Sequence, residues 1–394
     1  MTTLTGILEC PQRAEGRVRQ FNGTTLIESA EDPFVPTTLT ERFNLRSGVE
    51  VTVQVGHQRP RRRRRGGGRG PARPTVEAIL AVEGLPPDEY SQRKGFEDLT
   101  SIDPQPRLTL EHRGCPPSAR LVDLFCPIGR GQRGLIVSPP KAGKTTLLKD
   151  IATSILLNHT DVHLVVLLVD ERPEEVTDFR RTLLGSSNEP WKREWSQDRV
   201  RILASSNDHD VERHVAISVM CMERCKRMVE AGKHVVVVLD SLTRLGRAFN
   251  RSRRHASSGR TLTGGIDSRA LEVPKQIFGS ARNTEEAGSL TMIATCLVDT
   301  GSQGDQVIFE EFKGTGNMEL ILDRKIAERR VFPAINLASS GTRKEHLLMG
   351  EHELKTITAL RRRLLNIPPH QQMEQLLAAL ERFPTNAQLV GSPA

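Results

Sequence analysis

Aromatic side chains are scarce in this chain, at 4% of 394 residues with a single tyrosine, so little ring surface is available for stacking on a ligand. Long apolar runs are missing too. The longest, such as "LVVLLV" from Leu164, are strand-sized and fall well short of the ~18 apolar residues of a membrane span. The N-terminus, "MTTLTGILEC", lacks the basic-then-apolar order of a secretion signal. Paired cysteines are absent as well. The six cysteines are scattered, and only Cys221 and Cys225 lie close, at helical spacing within "MCMERCKR". A zinc site needs a second nearby pair, so free thiols in a reducing, cytoplasmic setting with no membrane contact are expected.

What is present is a soluble globular mixture, 37% hydrophobic and 26% charged, long enough for about two or three domains. A net charge of +8 admits acidic partners. Up to about residue 84 the chain reads as short strands separated by turns: "TGILEC", "GRVRQF", "TTLIES", "VEVTVQV" and "TVEAILAVEG". That spacing fits a small antiparallel barrel over residues 1–84. Between the last two strands lies "RPRRRRRGGGRGPARP", residues 59–74, whose glycines, prolines and arginines cannot form a core element and predict a loop. Residues 85–113, with "SIDPQPR", are predicted to be a linker.

From Gly114 onward the pattern changes. "GLIV", "VHLVVLLVD", "VRILAS", "HVVVVLD" and "LTMIATCLVD" are apolar and mostly continuous, as in strands covered on both faces. Helical segments starting near Lys144, Glu174, Val211 and Pro274 separate them. This alternation predicts an α/β domain with a parallel sheet over 114–394, closed by amphipathic helices such as "MEQLLAALERF".

"SPPKAGKTTLL" carries the tail of a phosphate loop, with Ser138 where the usual pattern has glycine. It follows one apolar strand and opens a helix, which is the context the motif requires. Backbone N–H groups of Lys141, Ala142, Gly143, Lys144, Thr145 and Thr146 are set to face phosphates. Lys144 adds charge at the β/γ positions, and the Thr145 hydroxyl suits Mg²⁺. Asp240, ending the strand "HVVVVLD", is the second candidate Mg²⁺ group. Glu171, in "VDERPEE", ends another strand and is the candidate base for the attacking water.

These stretches, together with "DLFCPIGRGQRGLIVS", "VLDSLTRLGRAFN", "LTGGIDSRAL", "EEFKGTGNMEL", "RKIAERRVFPAI" and "SGTRKE", closely resemble the bacterial transcription termination factor Rho family. The resemblance implies a RecA-like P-loop core behind an OB-fold or cold-shock-like RNA-binding barrel. It implies a homohexameric ring that hydrolyses ATP with Mg²⁺, an RNA-dependent ATPase and 5′ to 3′ helicase. Its partners would be nascent RNA, RNA polymerase and elongation factors. By matching position, Gly129, Arg130, Gly131, Gln132, Arg133 and Gly134 contact ATP along with the phosphate loop. Arg172 and Arg244 lie at the nucleotide, and Phe332 packs on adenine. Arg343 is the arginine finger reaching a neighbouring subunit, assisted by Arg330; a planar, permanently charged group suits that task. Arg260, Thr261, Thr263 and Gln303 lie on two loops implied to line an RNA channel. Where the family offers lysine, Gln303 can still hydrogen-bond RNA but releases no counterion.

The barrel departs further from the family. "EGRVRQ" stands where stacking phenylalanines are expected, putting Glu15 and Arg17 in their places, with Arg19 beside them. Phe34 keeps an aromatic, a tyrosine expected near Val76 is missing, and Arg61, Arg62, Arg63, Arg64 and Arg65 supply a basic block. RNA binding there is expected to be more electrostatic and less cytosine-selective. The barrel is expected to start almost at Met1, without the helical domain that often precedes it. A stretch at 185–199, holding both tryptophans, is expected as a surface elaboration. Two rival classes fit less well. A rotary-ATPase-type subunit shares core and barrel but not "DERPEEVT" or "GTGNMEL". An RNA-binding module with a decayed ATP site would lack part of the set Lys144, Thr145, Glu171, Asp240 and Arg343.

Overall fold

The computed structural model describes residues 2–11, 14–21, 26, 28–58, 73–185 and 199–391. The arginines Arg61 to Arg65 and the tryptophan-bearing stretch 186–198 lie outside the described residues. The chain divides into two compact units, one of Met1–Leu99 with Ala216–Gly232, the other of Thr100–Val215 with Lys233–Ala394.

Five strands close the barrel of the first unit: β1 (Thr2–Glu9), β2 (Gly16–Arg19), β3 (Phe34–Val35), β4 (Glu50–Gln58) and β5 (Arg73–Val82). Their order around the barrel is β1-β2-β3-β5-β4. Side chains alternate between faces, and Leu8, Val18, Val35, Val51, Val53 and Val76 fill the interior. The third strand differs from expectation. Residues 24, 25 and 27 lie outside the described residues, 26, 28 and 29 form no strand, and the strand in the barrel is Phe34–Val35, cut short by the prolines on either side, Pro33 and Pro36.

The stretch expected as a linker is structured. It contains a helical turn at Pro87–Tyr90, a 3₁₀ turn at Phe96–Asp98 and a short strand at Ser101–Ile102. Its apolar side chains explain this. Tyr90 and Phe96 are buried in the first unit, and Leu108 and Leu110 in the core of the second.

The second unit is built on a sheet containing β6 (Arg133–Ser138), β7 (Val162–Glu171), β8 (Val200–Ser206), β9 (His234–Asp240), β10 (Ser289–Leu297) and β11 (Met318–Ile321). In space these run β11-β6-β10-β9-β7-β8, and each neighbouring pair is parallel. The continuous Val/Leu runs of β7 and β9 are buried on both faces, as the sequence predicted. Helices α1 (Lys144–Asn158) and α2 (Pro173–Leu184) follow β6 and β7. Helix α3 (Leu242–Arg251) follows β9 across the single residue Ser241, its N-cap. The late helices Glu351–Leu364 and Pro369–Arg382 bury Ile357, Leu364, Met373 and Leu376 in the same core. Because the strands run parallel, the carboxyl ends of β6, β7 and β9 open on one edge, where α/β sheets bind ligands.

Candidate nucleotide site

The site is assembled where these three strands end. β6 runs into the loop at Ser138, which is fully buried and donates its hydroxyl to the Pro139 carbonyl at 2.9 Å. A small residue therefore fits where the motif usually has its first glycine. Lys141 (φ +64°) and Gly143 (φ +88°) bend the loop back, and Gly143 is the N-cap of α1. Gly143 packs against the Phe332 ring, from which a Cβ there would stand 3.4 Å, an ordinary van der Waals contact. The loop, Thr146, Phe332, Pro117, Ser118 and Asp150 enclose a cavity of about 490 Å³.

Beside the cavity lies a charged cluster. The Lys144 ammonium is paired with Asp240 and stands 3.9 Å from Glu171 Oε1. Thr295 donates its hydroxyl to the same Asp240 oxygen at 2.8 Å. Arg244, one turn into α3, has Nε 3.1 Å from Glu171 Oε1 and donates another N–H to the Asp170 carbonyl. Asp170 is itself in the left-handed region, at φ +55°. Such backbone conformations gather at functional sites, where surrounding structure holds them in place. Glu171 is 1% exposed, and its carboxyl is pushed up to about 7. Burial is the main cause and the charge on Asp240 the next; Lys144 and Arg244 pull the other way. Among the described residues, Asp240 Oδ2 and Glu171 Oε1 are buried without a hydrogen-bond partner. Asp240 Oδ2, beside a hydroxyl-bearing phosphate loop, fits a hydrated divalent cation, and Glu171 Oε1, held only by its ion pairs with Arg244 and Lys144, fits a water.

Several residues singled out in the sequence thus meet here: Lys141, Ala142, Gly143, Thr146 and Phe332 around the cavity, with Lys144, Glu171, Asp240 and Arg244 beside it. Arg172 caps α2 next to Glu171, with its side chain exposed. Arg330 (φ +61°) lies in the turn that leads to Phe332.

Other residues are not brought to this cavity. Residues 129–134 precede and open β6, so they lie at the far end of the strand from the loop. Five steps of ~3.3 Å separate Arg133 from Ser138, about 16 Å. There Gln132 is fully buried and donates to Asn317, and Arg133 donates to the Thr315 and Ala281 carbonyls. Arg343 is at that same far end: its backbone N–H donates to the Asn317 carbonyl, and Asn317 in turn accepts from Arg133. The Arg133 guanidinium is pushed below its ordinary value, first by burial and then by the charges of Arg282 and Arg343.

The two implied RNA loops do meet each other. Arg260, Thr261 and Thr263 belong to an exposed hairpin, Thr261–Leu262 with Ile266–Asp267, and Gln303 opens helix α4 (Gln303–Phe312). Gly264 (φ +77°) lies so close that a Cβ there would stand 2.6 Å from the Gly304 nitrogen. Arg247 of α3 donates to Asp305 at 2.8 Å, which ties this pair of loops to the helix that also carries Arg244.

In the barrel, Arg19 departs from expectation. It is buried and committed to Asp32 (2.9 Å) and Glu9 (2.7 Å), so its guanidinium is not presented to a ligand. Sequence reasoning missed Thr295, Ser118 and Asp150; a threonine in an apolar strand has no pattern of its own to mark it.

Comparison with known proteins agrees with this geometry. The ATP synthase alpha/beta family, nucleotide-binding domain, matches residues 118–342. A solved structure described as a prototypical ATPase from the type III secretion system of pathogenic bacteria shares the fold, with a TM-score of 0.56 at 23% identity. That match covers 68% of this chain and 70% of the other. Three relatives are described as transcription termination factor Rho. The one from Borreliella burgdorferi is 46% identical, covering 97% of this chain and 69% of its own. Those from Aquifex aeolicus (45%; 98% and 83%) and Mycobacterium leprae (47%; 90% and 55%) are similar. With such identity along most of its length, the chain belongs to the transcription termination factor Rho family.

Proposed function

We propose that this chain is an RNA-dependent ATPase that assembles as a homohexameric ring in the cytoplasm. It moves 5′ to 3′ along a nascent transcript and terminates transcription by releasing that RNA from RNA polymerase, in company with elongation factors. The observation that carries this reading is the separation of the catalytic set. Lys144, Glu171 and Asp240 stand together at the carboxyl ends of three strands, whereas Arg343 lies a strand length away beside Asn317. An arginine so far from its own phosphate loop can act as a finger only on another copy, which ties hydrolysis to assembly.

In the mechanism, ATP enters with its adenine against Phe332 and its phosphates on the loop amides. Lys144 exchanges Asp240 for the β- and γ-phosphate oxygens. Thr145 and Asp240 would hold Mg²⁺, which supplies charge neutralisation across the β- and γ-phosphates when bound. Glu171 orients the attacking water and accepts its proton, held in place by Arg244, with Arg172 alongside. Arg343 of a neighbouring copy, assisted by Arg330, neutralises charge on the transferring phosphoryl group. Arg133 and the other residues of 129–134 share the far end of β6 with Arg343, so any contact they make with ATP is made in the neighbour's site. Arg260, Thr261, Thr263 and Gln303 grip RNA, and α3 relays between grip and hydrolysis through Arg247 and Arg244.

The test is ATP turnover by the purified chain against RNA length and composition. Turnover should be slight without RNA and rise to a plateau as RNA is added. Equal turnover by an isolated monomer without polynucleotide would refute the reading.

A further inference from the structure

One wall of the nucleotide cavity carries a carboxylate that the mechanism above does not use. Asp150 lies one helical turn beyond Thr146 on the same face of α1, and both line the cavity. It is six residues beyond Lys144 in the chain. At 1.5 Å per residue that is about 9 Å along the helix, past the phosphates and toward the base. The walls around it are apolar: Pro116, Pro117, Leu147, Leu322, Phe332 and Pro333. Ser118, buried in the first turn of the helix Pro117–Phe125, donates its hydroxyl to Asp150.

The fold leaves this carboxylate with acceptor capacity to spare. It is half-buried, and burial pushes its carboxyl up, against the pull of the Ser118 hydrogen bond and the Lys149 charge. The adjacent Lys149 ammonium is committed elsewhere, to Asp178 of α2 at 2.6 Å. An ionised carboxylate accepts up to about four hydrogen bonds, and the Ser118 hydroxyl fills one of those places. A sheltered acceptor on the wall of an apolar cavity is matched by a ligand that brings its own N–H or O–H. Adenine carries N–H donors at one place once it is joined to ribose, the exocyclic amine. With the ring against Phe332, that amine is the group of the base that Asp150 can bind.

We propose that Asp150, oriented by Ser118, is the specificity-determining residue of the base pocket and accepts a hydrogen bond from the exocyclic amine of adenine. The proposal rests on the nucleotide reading above and deepens it. Phe332 and the apolar walls accept any flat ring, whereas Asp150 distinguishes a ring that bears the amine. A site built around a hydrogen bond to its ligand rejects the analogue that lacks the group, because the protein partner is then left short of a donor.

The experiment compares ADP with purine riboside diphosphate, which lacks only that amine, by calorimetric binding to the full chain with Mg²⁺. The unaltered chain should prefer ADP about tenfold, as for a hydrogen bond to a charged acceptor. Asp150→Asn keeps a neutral acceptor and should lower the preference to about threefold, and Asp150→Ala should abolish it. Ser118→Ala removes the group that orients the carboxylate and should reduce the preference without abolishing it. A carboxylate that serves only the fold would weaken both nucleotides together and leave their ratio unchanged. That result overturns the proposal, as does equal affinity for the two in the unaltered chain. A penalty for 2′-deoxy-ADP that disappears in Asp150→Ala would assign the carboxylate to the ribose and overturn it as well. RNA-stimulated ATP turnover of the unaltered chain, measured in parallel, separates the two readings. If neither nucleotide binds and turnover is absent, the nucleotide reading falls and the proposal with it; if turnover responds to RNA and Asp150→Ala leaves the ratio unmoved, only the base contact falls.

Discussion

Glu171 shows at the scale of one residue how stability and activity oppose each other. Its carboxyl, pushed up to about 7, holds a proton in the folded state over a range where the unfolded chain has already lost it. Its contribution to stability therefore falls as pH rises through about 7, and Glu171→Gln removes that fall. Without nucleotide or Mg²⁺, the melting temperature of the Gln variant should exceed that of wild type above neutrality, with the gap closing in acid. Activity should respond in the opposite sense. A glutamine accepts no proton, so turnover should drop by ~10²–10⁴-fold, while ATP binding, followed by a fluorescent analogue, persists. In the unaltered protein kcat/KM for ATP should rise with pH across about 7, reporting ionisation of the free base. Glu171 and Asp240 were legible in the sequence because each ends a continuous apolar run. Thr295, which positions Asp240, was not, since a buried threonine in a strand resembles any other β-branched residue.

At the scale of elements, function depends on which strand and helix ends are brought together. The hairpin of 261–267 and the start of α4 touch through Gly264 and Gly304, where no side chain fits. Gly264→Ala adds a Cβ that would stand 2.6 Å from the Gly304 nitrogen, at a φ of +77° that disfavours alanine. We expect this variant to bind ATP normally but to lose most RNA stimulation of turnover, measured as the ratio of rates with and without RNA. Normal stimulation would show that the loops act separately. Helix starts at Lys144 and Val211 could be read directly from the sequence, because periodicity and the phosphate loop mark them. The third barrel strand could not: its two residues between prolines are too few to show a period, and the pairing that makes Phe34–Val35 a strand comes from β2 and β5.

At the scale of the whole molecule, the proposed reading of Arg343, a strand length from its own Lys144, would make hydrolysis a property of the assembly. Arg343→Ala should lower turnover by ~10³–10⁵-fold while leaving nucleotide affinity nearly intact. Mixed with wild type, it should suppress activity by more than its share of subunits, because each altered copy disables a neighbour. Activity that declines only in proportion to dilution would show each copy to be self-sufficient. The sequence alone was enough to establish the phosphate loop, the strand-end carboxylates, the parallel α/β core and the barrel before it, because these rest on local spacing and on periodicity that burial imposes. Only the tertiary structure decided that residues 129–134 face away from the loop they precede, that Arg19 is sealed while Arg17 and Arg73 cap Phe34, and that the hairpin meets α4. Those outcomes depend on strand direction and on contacts between residues far apart in the chain, and one-dimensional spacing carries no record of either.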